Sequence, residues 1–206
     1  MTRSSFFIDG FNLYHSLIDK FTPLPTKYKW LNLKKLASCF INKNEEITKI
    51  YYFSALAEWD TSKVIRHQKY IKALQYFEIT PVMGKFKKRS VTCKVCKKIF
   101  SKHDEKQTDV NIAIQLIKSA YLDEYDVAYV LSGDSDLIPS IKAIKSLFPQ
   151  KKIRVIIPFG RSANELSNEC EKSMKIKRHH LDQSLFSDNI LDNEGNIIVS
   201  RPTEWV

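Results

Sequence analysis

The sequence predicts a three-layer α/β protein, in which helices cover both faces of a central, mostly parallel sheet. Two observations favour this fold class. Strand-like and helix-like segments alternate along the chain, and the strand-like segments are nearly continuous apolar runs. Strands that are buried on both faces have this pattern, and the alternation is typical of a parallel sheet. The 206 residues, 43% of them hydrophobic, suffice for one domain with a sizeable core.

The N-terminal half predicts three strands and three helices. Strands are indicated by β-branched and aromatic runs, and helices by apolar residues three or four positions apart. In order, they are a strand at 6–8, a helix at 13–21, a helix at 33–40, a strand from 47, a helix capped by Thr61 or Ser62, and a strand at 78–86.

The C-terminal half continues the alternation. It predicts a helix from Thr108, a strand at 126–134, a helix at 135–148, a strand at 151–159 and a helix capped by Ser162. We expect the helix from Thr108 to bury the face formed by Val110, Ala113, Ile114, Ile117, Ala120 and Tyr121. His179 and His180 are expected in a strand, one exposed and one buried. The predicted domain spans 1–186, and 187–206 is expected to be an irregular C-terminal tail.

The charge predicts a polyanionic partner, nucleic acid first. The net charge is +10 and the isoelectric point about 9.3. Nine Lys and Arg residues stand against two acids between Lys85 and Lys106, within and around a predicted inserted hairpin or knuckle at about 87–104. A merely solvated lysine surface is the alternative. We see no membrane span or signal peptide, so we expect a cytoplasmic protein and no membrane partner.

Four aspartates are predicted to meet at one edge of the sheet. They are Asp9, Asp109, Asp134 and Asp136. The first ends a strand, the last two follow another strand, and Asp109 opens a helix. Sites in open α/β sheets form at the carboxyl ends of the strands. Asn12 and Ser132 are expected to add an amide and a hydroxyl to the same pocket.

Clustered carboxylates repel one another unless protons or a cation intervene. Mg²⁺ or Mn²⁺ suits such oxygen ligands, and a bound ion activates water and stabilises a phosphate leaving group. Each acid could also have a purely structural role: a turn at Asp9, a helix-dipole role for Asp109, and a loop or cap role for Asp134 and Asp136. The functional interpretation rests on the predicted meeting of all four aspartates at one edge of the sheet.

Three motifs resemble the NYN family of PIN-like nucleases over roughly residues 5–186. They are D-G-x-N at Asp9 to Asn12, K-x-x-D at Lys106 to Asp109, and S-G-D-S-D at Ser132 to Asp136. The resemblance implies a PIN-like α/β/α sandwich and divalent-metal-dependent cleavage of RNA. It assigns Asp9, Asp109, Asp134 and Asp136 to the Mg²⁺ or Mn²⁺ site, with Asn12 and Ser132 beside them.

One departure concerns the last helix. Relatives often carry an Asp where this chain has Cys170-Glu171, so Glu171 is expected to be a weaker or supporting acid. For the phosphate, we expect Lys106 or Arg161 to neutralise charge, although Arg161 could equally be a solvated loop residue.

The basic segment contains C-x-x-C at Cys93 and Cys96, with His103 seven residues further on. Structural Zn²⁺ binds thiolate and imidazole ligands tetrahedrally, so these three residues are a candidate zinc knuckle. An unmetallated hairpin and a redox or disulfide role are the alternatives. Lys87, Lys88 and Arg89, beside Phe86, suit single-stranded RNA. Phe86 could equally be a core residue.

We therefore predict a metal-dependent endoribonuclease. A catalytically weak or inactive RNA- or protein-binding module is the main alternative. An aspartyl phosphatase or sugar-nucleotide transferase is disfavoured, because the D-x-D of Asp134 and Asp136 lies late in the chain. RNA is the predicted partner, and a homodimer is left open.

Overall fold

The three-layer α/β fold is confirmed by the structure, a computed structural model that describes residues 1–19 and 23–206. The central sheet has six strands, all parallel, in the order β3-β2-β1-β6-β7-β8. They are β1 (Thr2–Asp9), β2 (Glu45–Ser54), β3 (Thr80–Met83), β6 (Val127–Leu131), β7 (Lys152–Ile157) and β8 (Lys172–Lys175). A separate antiparallel hairpin is formed by β4 (Lys85–Thr92) and β5 (Ile99–Lys106).

Helices connect the strands. They are α1 (Gly10–Leu17), α2 (Leu33–Ser38), α3 (Thr61–Tyr76), α4 (Thr108–Tyr121), α5 (Ile138–Leu147), α6 (Asn164–Glu169) and α7 (Arg178–Asp182). The helix expected at 13–21 begins earlier, at Gly10, and its expected end falls partly on residues 20–22, outside the described part of the chain. No helix in the described part is long and apolar enough to cross a membrane.

Two clusters of buried side chains cover the two faces of the sheet. Neighbouring residues of β1 alternate between them, because successive strand residues point to opposite faces. Phe6 and Ile8 belong to one cluster, whereas Phe7 belongs to the other. This burial on both faces explains why the strands are continuous apolar runs.

Two helix caps differ from the expected ones. The α3 helix is capped by Asp60, whose side chain accepts a hydrogen bond from the backbone of Lys63, so Thr61 is the first helical residue and not the cap. The α6 helix begins after Ala163 without a side-chain cap, so Ser162 does not cap it. Asp is as effective a cap as Ser, and one-residue shifts of this kind lie beyond sequence patterns.

The buried face of α4 also differs from the expected one. Its buried apolar residues are Ile112, Leu116 and Ala120. Of the expected residues, Ala120 is buried, but Val110, Ile114 and Tyr121 are 59%, 59% and 76% exposed. Both sets have helical spacing, so periodicity alone could not choose between two apolar faces.

The C-terminal segment is ordered and not irregular. It forms the antiparallel pair β9 (Asn189–Leu191) and β10 (Ile197–Ser200), followed by a short 3₁₀ helix over Thr203–Trp205. Ile190 and Val199 are buried in the main core, and the Trp205 ring contacts Trp30. His179 and His180 lie in α7 and not in a strand.

A buried ionic network lies at the amino-terminal edge of the sheet, opposite the edge predicted to carry the site. Glu45 accepts hydrogen bonds from Tyr129 Oη at 2.6 Å and Arg154 Nη1 at 2.7 Å. Burial opposes ionisation of Glu45, but these bonds and one from Asn42 outweigh it and lower the pKa of Glu45 to about 2. The network joins β2, β6 and β7.

Candidate functional site

The junction between β1 and α1 forms the floor of the site. Asp9 ends β1 and caps α1, and Gly10 is the first helical residue. A Cβ at Gly10 would lie 2.6 Å from the carbonyl oxygen of Phe53, so only glycine allows α1 to approach β2 this closely. Asp9-Gly10 is therefore a strand-to-helix junction and not an isolated turn.

Asp9 is buried, with both of its carboxylate oxygens bonded. Oδ1 accepts from the backbone of Asn12 at 2.9 Å, and Oδ2 accepts from Asn12 Nδ2 at 2.7 Å and Ser132 Oγ at 2.9 Å. Burial raises the pKa of Asp9, while these hydrogen bonds act in the opposite direction. Because Ser132 follows β6, this cluster fastens the carboxyl ends of two neighbouring parallel strands together.

Three of the four expected acids converge above this floor. Asp109, Asp134 and Asp136 each place a carboxylate oxygen within 4.8 Å of the others. Asp109 lies in the first turn of α4, and Asp134 caps a 3₁₀ helix at Ser135–Leu137 by accepting from the backbone of Asp136. The described residues contain no other group of three or more such ligands. Asp9 lies outside the group of three, which differs from the expected set of four.

The acids raise the proton affinity of Asp109. Burial, followed by the negative charges of Asp9 and Asp134, raises the pKa of Asp109 to about 6. A carboxylate that resists ionisation in this way becomes a good ligand for a cation, because a bound cation removes the repulsion. The three carboxylates therefore have the oxygen chemistry of a divalent-ion site.

Glu105 is a fifth acid, which the sequence interpretation missed. It adds negative charge at Asp109, and its Oε1 accepts from the backbone of Thr108 at 3.0 Å and from the Thr108 hydroxyl. It lies near the end of β5, two residues before the residue that caps α4, and this position is a signal that could have found it, since acids are favoured near helix N-termini.

Glu171 does not supply the acid expected near the cluster. It immediately precedes β8, so it lies at the amino-terminal edge of the sheet, whereas the cluster lies at the carboxyl edge. Its carboxylate is 3.8 Å from Lys152 Nζ, at the start of β7. The direction of β8 places Glu171 at the edge opposite the acids. The sequence shows only that Glu171 follows a helix, which does not reveal this direction.

A large cavity adjoins the acids. Its volume is about 820 Å³, and Asp9, Asp109, Asp134 and Glu105 are among the residues that line it. Its walls carry the aromatic residues Phe11, Tyr14, Tyr28, Tyr52, Trp59, Tyr70, Phe86 and Trp205. Lys29, Lys63 and Arg66 also line it, so the cavity carries positive as well as negative charge.

Trp59 and the base of the hairpin form the cavity rim. The Trp59 ring stacks on His103 with centroids 3.7 Å apart, and it meets the edge of Phe86 at 4.7 Å. Phe86 also contacts Phe11 of α1. Phe86 is thus half-buried in an aromatic group beside the acids. It is neither a fully buried core residue nor a freely exposed ring for RNA bases, which were the two expectations for it.

This arrangement removes His103 from the expected zinc knuckle. His103 pairs with Lys88, while the hairpin turn that carries Cys93 and Cys96 begins after the pair of Thr92 and Ile99. Four residues of strand span about 13 Å, so the His103 ring does not reach the thiols.

The expected phosphate-binding residues are distributed unevenly. Lys87, Lys88 and Lys106 are exposed on the hairpin, and Arg89 forms an ion pair with Asp104. Arg161 is turned toward the end of α1, where it is 2.9 Å from Asp19 Oδ2 and donates to the carbonyl of His15 at 3.0 Å. Arg161 therefore contacts the segment at the end of α1, and its expected role at the phosphate stays a prediction.

Comparisons with known proteins define the class. The NYN domain family profile matches residues 3–177, so the chain belongs to the NYN domain family and has a PIN-like nuclease fold. The 6-hydroxy-3-succinoylpyridine 3-monooxygenase HspA of Pseudomonas putida is 24% identical, over 87% of this chain and 67% of its own length. A protein of unknown function from Vibrio parahaemolyticus, VPA0982, shares the fold, with a TM-score of 0.57 at 16% identity, covering 90% of this chain and 96% of that one.

Proposed function

We propose that this protein is a divalent-metal-dependent endoribonuclease. The observation that carries the proposal is the convergence of Asp109, Asp134 and Asp136 at the carboxyl edge of the sheet of an NYN domain. Sites of open α/β folds form at this edge, and NYN domains act on nucleic acids. The protein's strong positive charge favours the same substrate class.

The acids and their neighbours have separate roles. Asp109, Asp134 and Asp136 hold Mg²⁺ or Mn²⁺, and Asp9 keeps Asn12 and Ser132 in place beneath them. When bound, the ion supplies a Lewis acid and an activated water for phosphodiester hydrolysis. Asn12 has its side chain fixed between Asp9 and the backbone of Gly133.

The hairpin and the cavity supply the RNA-binding surface. Lys87, Lys88 and Lys106 offer exposed ammonium groups for phosphates, which would bind an RNA strand leading to the acids. The aromatic cavity walls provide faces on which an unstacked base can stack, as in single-stranded RNA recognition. The lysines and Trp59 thus extend the site beyond the carboxylates.

The test is a panel of three substrates at equal concentration, with Mn²⁺, Mg²⁺ or EDTA. They are a labelled single-stranded RNA, the DNA of the same sequence and a small phosphate ester. We expect metal-dependent internal cleavage of RNA. Hydrolysis of the small ester alone would contradict the proposal, and salt-sensitive RNA binding without cleavage would support the binding-module alternative.

A second candidate function is the oxidation of a small aromatic ring. It is suggested by the name of the Pseudomonas relative and favoured by the aromatic walls of the cavity. Incubation with a hydroxypyridine carrying an acid side chain, in air with NADH, would test it. A hydroxylated product in the absence of any RNA cleavage would favour this candidate over the nuclease.

Ionised Asp109 lowers the folding stability of the metal-free protein at neutral pH. Its folded pKa of about 6 lies above the ordinary value of 3.8, so the folded state loses stability as pH rises between these values. We expect Asp109→Asn to raise the free energy of unfolding at pH 8 by about 1 kcal/mol, after allowance for partial exposure and a lost helix-dipole interaction.

Thermal melts of metal-free protein at pH 5 and pH 8 would check this. The variant should melt about 2–4 °C higher than the wild type at pH 8, with a smaller gain at pH 5. Added Mn²⁺ should raise the melting temperature of the wild type alone. A variant that melts lower than the wild type at pH 8 would show that Asp109 is not under electrostatic strain.

Trp59 should contribute to RNA affinity by stacking. Its ring is 45% exposed at the cavity rim. Trp59→Ala should weaken binding of single-stranded RNA by about 1–3 kcal/mol, measured by fluorescence anisotropy in Ca²⁺ to limit cleavage. Tyr121→Ala is the matched control, because Tyr121 is 76% exposed at the far end of α4. Equal losses in both variants would count against stacking at Trp59.

A further inference from the structure

The tip of the β4–β5 hairpin holds two cysteines in a preformed turn. The backbone of Cys93 donates to the carbonyl of Lys98 at 2.8 Å, and its own carbonyl accepts from Lys97 at 3.0 Å. Lys97 adopts the left-handed conformation, with φ at 58°. The turn therefore curls back on itself directly after Cys96, although the residue there is not a glycine.

The turn points backbone amides at a sulfur. The backbone amides of Cys96 and Val95 and the side chain of Cys96 all lie close enough to the Cys93 sulfur to interact with it. Two neighbouring sulfurs in a closed turn form half of a tetrahedral zinc site.

The rest of the described chain does not complete this half-site. His103 is held against Trp59, four strand residues from the turn. The other cysteines, Cys39 and Cys170, follow α2 and α6. No group of three metal ligands that includes Cys93 or Cys96 occurs among residues 1–19 and 23–206.

The surface around the half-site is suited to a second copy. Val95, Ile99 and Phe100 are 91%, 73% and 50% exposed. Several exposed apolar side chains close together in one hairpin are typical of a surface that binds a partner. Lys94, Lys97 and Lys98 flank the two cysteines in the sequence, and no acid occurs between Ile79 and His103. Two such tips would repel each other, but a zinc ion with four thiolates is a dianion that neutralises part of this charge.

We propose that two copies of this chain bind one Zn²⁺ between their hairpin tips, each supplying the thiolates of Cys93 and Cys96. A two-fold axis through the ion gives each copy the same contacts, as in most homodimers. Each thiol that enters the site releases one proton to solvent and donates a sulfur lone pair to the ion. Val95 and Ile99 of the two tips cover each other around the centre.

The test measures zinc content and mass on the full chain purified in a non-thiol reductant. We expect about 0.5 zinc per chain, the number for a four-thiolate centre shared by two copies, and a dimer by light scattering. A strong chelator should release the zinc and give monomers, with zinc restoring the dimer. Neither readout requires RNA, so the result is independent of the nuclease assignment.

Matched cysteine variants show whether the thiols of the hairpin tip hold the ion. Cys93→Ser and Cys96→Ser should each lose zinc and dimerisation, whereas Cys39→Ser and Cys170→Ser should retain both. The tip is exposed, so circular dichroism should be unchanged in the first pair. Three results would overturn the proposal: one zinc per monomer, a Cys93–Cys96 disulfide in place of zinc, or a dimer that survives both chelator and the tip substitutions.

Discussion

Asp134→Asn should lower the kcat/KM for RNA cleavage by at least about 100-fold, because it removes a charged ligand from the ion that activates water. The asparagine oxygen can still accept the 2.9 Å hydrogen bond from the backbone of Asp136, so the local turn should be preserved. The measurement is the initial rate of cleavage of a labelled RNA in saturating Mn²⁺. An unchanged circular dichroism spectrum would show that the loss is chemical.

Asp192→Asn is the matched control for this substitution. Asp192 accepts a hydrogen bond from the backbone two residues on, at 2.9 Å, as Asp134 does. It lies in the turn between β9 and β10, away from the acids. The control should cleave RNA at the wild-type rate. Full activity in Asp134→Asn, or an equal loss in both variants, would remove Asp134 from the metal site.

Glu45→Ala should have the largest effect on stability, about 3 kcal/mol, because it leaves the buried Arg154 guanidinium with one distant carboxylate, Glu171 Oε2 at 4.0 Å from Nε. Arg154 already has one nitrogen, Nε, without a hydrogen-bond partner within 3.5 Å in the described structure. The melting temperature should fall by roughly 10 °C, since about 2–4 °C per kcal/mol is usual for a chain of this size.

The stabilisation by Glu45 should also depend on pH in the acid range. Its folded pKa of about 2 lies below the ordinary 4.5, so its contribution is complete above pH 4.5 and is lost as pH falls toward 2. Lys34→Ala is the control, because Lys34 pairs with Glu78 at 2.8 Å on the surface and should cost less than about 1 kcal/mol. Similar losses in Glu45→Ala and Lys34→Ala would contradict a buried network.

The sheet and the three converging acids could be predicted from the sequence for one physical reason. Strands buried on both faces are recognisable apolar runs, and the parallel arrangement brings their carboxyl ends together. Asp134 and Asp136 follow such a run directly, and Asp109 follows from its motif. The C-terminal hairpin could also have been found, from the turn-forming residues at 192–195 between two apolar segments.

The remaining features depend on tertiary placement. The cavity takes Tyr28, Trp59 and Trp205 from three separate segments, and no spacing in the sequence links them. The α4 helix has two apolar faces, so its buried face is decided by packing. The prediction that Glu171 supports the acids was wrong, because the direction of its strand places Glu171 at the opposite edge of the sheet.

The measurement that most directly tests metal-assisted cleavage is a thio-substitution experiment. One non-bridging oxygen at the cleaved phosphate is replaced by sulfur, and cleavage is followed in Mg²⁺ and in Mn²⁺. Because Mg²⁺ binds sulfur poorly and Mn²⁺ accepts it better, we expect slow cleavage in Mg²⁺ that Mn²⁺ restores. Equal effects of the sulfur with both ions, or no cleavage of the unmodified RNA, would contradict an ion held by Asp109, Asp134 and Asp136 at the phosphate.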